Sequence, residues 1–333
     1  MRYATGVRPG RPRRLAGTIG FLLVLGAVVA LLLLQRVDPE RDTTVARLAE
    51  IGVDPVPHLA QAARGHQALL FGLPVADRAA WRVVIAATDS VARGSGLEAV
   101  GVPAPARHQP ALDRYLASSP EEPSLLPPTE GERGAGLRDF YRAIWRLNDD
   151  LGADRAVRLL ALLPADWPPS TTSSPAQAVR RWAERSAHAR DVLVEALLRR
   201  EPSARIVVVA DGLDVLRGVR VRVSAGGGAT SSPDGLGQLL EGRFGSGLYT
   251  VLADGPREVG GGAPVAGFGG TGFYGDARRV WSGSATLAPL ADDEGLGQAT
   301  LSALTWPGVE AELEPARPAL GGIADAYVYP GGG

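Results

Sequence analysis

The sequence predicts an α/β fold: a mostly parallel sheet covered by helices on both faces, preceded by a single N-terminal transmembrane helix. Three observations predict it. Short apolar runs alternate with segments whose apolar residues recur at helical spacing, the pattern of βαβ units. Several of those runs are continuously apolar, as strands buried on both faces are. Ahead of them stands a twenty-residue stretch, Leu15 to Leu34, without a charge. The chain has 333 residues, 45% hydrophobic and 21% charged, which suits folded domains and excludes a disordered chain.

The first element is the apolar stretch, and residues 15–35 are assigned to it. At about 1.5 Å rise per residue, twenty residues span about 30 Å, the thickness of a bilayer core. Leu15, Phe21, Leu25 and Leu34 anchor it. Before it stand Arg2, Arg8, Arg11, Arg13 and Arg14 with no acid among them; after it the charges are mixed, from Arg36 and Asp38 to Asp42. The positive-inside rule therefore places residues 1–14, an Arg-rich head, in the cytoplasm and residues 36–333 outside. A cleaved signal peptide, the competing reading, has a shorter apolar core and ends in a small-x-small site. Here the run closes on four leucines, then Gln35 and Arg36.

In the exported part, Gln67 to Phe71 reads as a first strand and Ala76 to Arg93 as the helix after it. Leu97 to Val102 reads as a second strand, followed by a short helix, Arg107 to Ala117, and a loop from Pro120 to Gly134. Leu137, Phe140, Ile144, Leu147 and Leu151 recur at helical spacing. Val157 to Leu163 is a third strand, stopped by Pro164 and by Trp167-Pro168-Pro169. Ser174-Pro175 opens a long helix, an N-cap followed by proline at the first helical position. Its apolar face holds Val179, Trp182, Ala189, Leu193 and Leu197. Arg205 to Ala210 is the most strand-like run, and Leu248 to Ala253 and Ala326 to Tyr329 supply later strands. Gly-rich stretches at 224–232 and 255–275 read as surface loops.

Composition excludes several chemistries. All 35 basic residues are arginine, so no lysine chemistry is available, and without cysteine there are no disulfides, thiolate metal sites or iron–sulfur clusters. The four histidines, His58, His66, His108 and His188, include no pair at the i, i+4 spacing of a helical metal site. A net charge of −1 provides no basic footprint for nucleic acid. No cofactor or metal is expected. Gly267 to Gly272 fits GxGxxG but sits in a long glycine stretch with no helix evident after it, unlike a dinucleotide site. Asp292-Asp293-Glu294 reads as the first turn of a helix.

The candidate site residues lie where strands end. Asp211 and Asp214 follow the Ile-Val-Val-Val strand, and Asp166 follows the third. Ligands of open parallel sheets bind outside such carboxyl ends, although turns after strands favour Asp anyway. Arg185 and His188 stand one turn apart on the long helix.

In the order of its elements, from about Val45 to Tyr329, the chain resembles the erythromycin-esterase and haem-uptake (Tiki-like) superfamily. His58-Leu-Ala-Gln-Ala-Ala-Arg64, Tyr141-Arg-Ala-Ile-Trp-Arg-Leu-Asn148, Arg185-Ser-Ala-His188, Val207-Val-Val-Ala-Asp211-Gly-Leu-Asp214 and Asp325-Ala-Tyr-Val-Tyr329 carry the likeness. The resemblance implies an acid and a His after the first strand, a Glu after the second and a His after a later one, performing hydrolysis. This chain has Phe71-Gly72-Leu73-Pro74 and Gly101-Val102-Pro103 at the first two places and Asp214 at the last. Leu, Pro and Val cannot transfer a proton, so a retained fold with lost chemistry is expected.

The function expected is a non-catalytic, single-pass accessory or scaffold subunit of a larger assembly in the bacterial inner membrane, a respiratory or photosynthetic complex being one candidate. Its domain would be periplasmic, and its partners membrane protein subunits and the bilayer. Two alternatives stand beside it: an anchored periplasmic hydrolase, esterase- or protease-like, with a relocated site at Asp166, Arg185, His188, Asp211 and Asp214, and a ligand-binding domain using the inherited cleft. Exclusive use of Arg, with abundant Ala and Gly, points to a GC-rich bacterial genome.

Overall fold

The computed structural model describes residues 39–73, 77–129, 134–167, 175–199, 201–212, 214–225, 228–231, 234–253, 277, 280–281, 283–290, 310–314 and 319–331. The Arg-rich head, the apolar stretch at 15–35, the glycine stretch at 255–275 and the acids at 292–294 lie outside them. Among the described residues no helix is long and apolar enough to cross a membrane. The chain divides into a leading unit ending at Thr43 and a compact unit from Thr44 to Gly333.

The elements, in chain order, are α1 (Pro39–Ile51), α2 (Pro55–Gly65), β1 (Ala68–Leu73), α3 (Arg78–Ser95), β2 (Ala99–Pro105), α4 (Gln109–Leu116), α5 (Ala135–Leu151), β3 (Arg158–Leu163) and α6 (Pro175–Asp191). The chain continues through β4 (Ile206–Asp211), β5 (Arg220–Ala225), β6 (Gly228–Ser231), α7 (Leu236–Phe244) and β7 (Leu248–Ala253). It closes with β8 (Thr286–Pro289), β9 (Glu310–Glu314), the single turn α8 (Leu320–Ile323) and β10 (Ala326–Tyr329).

Seven strands form one sheet in the order β3-β2-β4-β1-β7-β10-β8. All neighbours run parallel except β8 against β10. All six residues of β1 are buried, because a parallel strand is covered on both faces. Alternate residues therefore point into two separate cores. Ala68, Leu70, Val208 and Leu252 pack with Leu193, Leu236 and Leu240 on the face of α6 and α7. Leu69, Phe71, Val207 and Val251 pack with Trp81, Val84, Phe140 and Ile144 on the face of α3 and α5. The helical spacing read in α5 is its buried stripe: Leu137, Phe140, Tyr141, Ile144 and Leu147. Each such leucine contributes about 1.5–3 kcal/mol on burial.

Both edges of this sheet are covered. At β3, the Gln109 side chain donates to the Leu159 carbonyl at 2.7 Å and accepts the Ala161 amide at 2.7 Å. Just before β3, Asn148 binds both backbone groups of Val157, at 2.9 and 2.7 Å. Two amide side chains thus stand in for a neighbouring strand. At β8, Val53 exchanges two backbone hydrogen bonds with Leu287, both 2.9 Å.

Several expectations are corrected. The stretch at 224–232 is not a glycine loop: β5 and β6 run through it, and with β9 they form a second, antiparallel sheet in the order β6-β5-β9. Its β-forming signal is the alternation Arg220-Val221-Arg222-Val223, which glycine content masked. The second strand runs on to Pro105 through two prolines, past a register irregularity between Val102 and Pro105, where proline is tolerated. The loop from Pro120 contains a 3-10 turn, Pro123–Leu125. The long helix passes into a π-helical turn, Val192–Leu198. Of its apolar face, Ala189 and Leu193 are buried; the side chains of Val179, Trp182 and Leu197 lie outside the described set. α1, α2, α7, β8 and β9 were not read from the sequence.

Candidate functional site

In a doubly wound sheet the ligand crevice opens at the carboxyl ends of adjacent strands whose connections leave for opposite faces. Two pairs here meet that condition: β2 and β4, paired from Ala99↔Ile206 to Gly101↔Val208, and β1 and β4, paired from Ala68↔Ile206 to Leu73↔Asp211. β1 leads to α3 on one face, and the chain beyond β4 leads to α7 on the other. A Cβ at Gly72 would lie 2.2 Å from Val215 Cγ2 and 3.0 Å from the Gly212 Cα, so the residues after β4 pack on the α6 and α7 face of the sheet at Gly72. Val215 is fully buried. The segment is clamped from behind, since the Gly237 amide donates to the Asp214 carbonyl at 2.7 Å and a Cβ at Gly237 would lie 2.0 Å from the Val215 carbonyl oxygen.

Three of the five candidate residues, Arg185, Asp211 and Asp214, meet beside this segment. Arg185 Nη2 donates to Asp214 Oδ1 at 2.6 Å, in a pair whose side chains are 18% and 6% exposed. Burial opposes the guanidinium charge, but Asp214 and Asp211 outweigh it and hold the Arg185 pKa above its ordinary value. The guanidinium also lies 5.2 Å over the Trp167 ring. Asp211 ends β4 half-buried, and the Asp214 amide donates back to its carbonyl at 2.9 Å. Asp166 is exposed in the turn after β3. His188 stands one helical turn beyond Arg185, half-buried, and its Nε2 has no hydrogen-bond partner. It makes no hydrogen bond to the other four.

Three further residues at the carboxyl ends were missed. Asp77 caps α3, its Oδ1 accepting the Ala79 amide at 2.8 Å, while its Oδ2 is buried without a partner. The readable signal was an Asp directly before the helical run. Arg107 and His108 sit in a 3-10 turn, Ala106–His108, directly after β2. Arg107 donates to the Ala165 carbonyl, tying this turn to the one after β3. Burial, helped by the Arg107 charge, lowers the His108 pKa, so its imidazole is neutral at neutral pH. A strand read as ending at Val102 hid that position.

Asp325, from the terminal segment quoted for the resemblance, is structural. Its Oδ2 accepts the Thr250 amide at 2.7 Å and its Oδ1 accepts from Arg217 at 3.1 Å, where β10 begins to pair with β7. Among the described residues no group of three His, Asp or Glu could hold a metal ion.

The architecture is that of the erythromycin-esterase-like α/β fold. A mutant erythromycin esterase in its open conformation superposes with a TM-score of 0.50 at 13% identity, over 83% of this chain and 93% of that one. A Bacillus cereus protein matches with a TM-score of 0.54 at 10% identity, over 87% and 97% of the two chains. A succinoglycan biosynthesis protein matches with a TM-score of 0.54 at 9% identity, over 88% and 97%. No protein-family model and no curated protein matches the sequence. At such identities the likeness is one of fold.

Proposed function

We propose that this chain is a non-catalytic accessory or scaffold subunit of a larger membrane protein complex. Residues 15–35 hold it in the bacterial inner membrane, and its α/β domain, an erythromycin-esterase-like fold without a working catalytic set, faces the periplasm. One observation carries the reading: β1 ends in Phe71-Gly72-Leu73, with Gly72 packed against Gly212 and Val215, where the resemblance implies an acid and a His. A general base must be a titratable group, and these three residues offer none. The Arg185–Asp214 pair supports the same reading, since Arg185 already engages the Asp214 carboxylate at 2.6 Å. Asp77 serves as a helix cap.

The test is the native mass of the tagged full-length protein after mild-detergent extraction from its own membranes. Migration with a large, defined complex is expected. Migration as a lone chain would overturn the reading. So would ester or peptide hydrolysis that is lost in both Asp214→Ala and His188→Ala, which would establish the relocated hydrolase site instead.

A further inference from the structure

We draw no further inference here: the strongest candidate, the turn of α6 where Arg185 Nε, Ser186 Oγ and His188 Nε2 are buried without hydrogen-bond partners, belongs to the strand-end site already described.

Discussion

Arg185 and Asp214 form a buried ion pair where the chain leaves β4. Their side chains are 18% and 6% exposed and 2.6 Å apart, so each is the other's compensation for lost water. Removing one partner of such a pair typically costs about 3–5 kcal/mol, whereas replacing both with apolar groups of similar volume is often nearly neutral. Asp214→Ala is therefore expected to lower the urea midpoint sharply. Arg185→Met/Asp214→Leu should recover most of that loss, and exposed Asp166→Ala should change little. His108 offers a second residue-scale test. Its folded pKa lies below the ordinary value of 6.5 through burial and the nearby Arg107. The unfolded chain then binds the proton more readily, so this group's contribution is complete above pH 6.5 and declines as pH falls toward the folded value. NMR titration should find the imidazole midpoint below 6.5, and Arg107→Gln should raise it part of the way back.

At the scale of elements, the edge strand β3 depends on side chains from two helices. Gln109 satisfies the Leu159 carbonyl and the Ala161 amide from α4, and Asn148 satisfies both backbone groups of Val157 from α5. An unpaired strand edge invites pairing with another chain. Gln109→Ala leaves one backbone donor and one acceptor without partners, at about 1–3 kcal/mol for each group that stays buried. Faster hydrogen exchange at the Ala161 amide is expected, together with concentration-dependent aggregation. α3 and α5 depend on Gly136, where a Cβ would fall 2.1 Å from the Trp81 ring. The ring is buried against Phe140, with centroids 5.4 Å apart, and has no room to retreat. Gly136→Ala should therefore destabilise the domain despite alanine's higher helix propensity. A thermal melt gives the sign.

For the whole molecule, the proposed anchor and the folded domain make separable predictions. Deleting residues 1–35 is expected to move the protein from the membrane pellet to the soluble fraction with the domain's circular dichroism spectrum intact. The reason is that the described core is built from residue 48 onward: Leu48 is fully buried, and its carbonyl accepts the Trp281 indole at 3.0 Å. A truncated chain that remained in the pellet would show that the apolar run is not what holds the protein to the bilayer. Truncation closer to the domain, through residue 51, should instead unfold it in part. It removes Leu48 from a core that includes Trp281.

The sequence by itself determined the class of fold and most of the central strands. β4, β7 and β10 are apolar runs whose neighbours must cover both faces, and α5 announces itself by spacing; these are local periodicities that burial enforces. It also placed Arg185, Asp211 and Asp214 among the candidates, because acids after strands and a cation on the adjoining helix are visible one at a time. Only the tertiary structure decided that these three meet, that Gly212 and Val215 pack against Gly72, and that Gln109 and Asn148 close an edge 50 and 9 residues away along the chain. β5 and β9 escaped for the same reason. They pair in a register that sets Arg220 against Glu314 and Arg222 against Glu312, and a partner about ninety residues distant leaves no periodic mark on the segment that needs it.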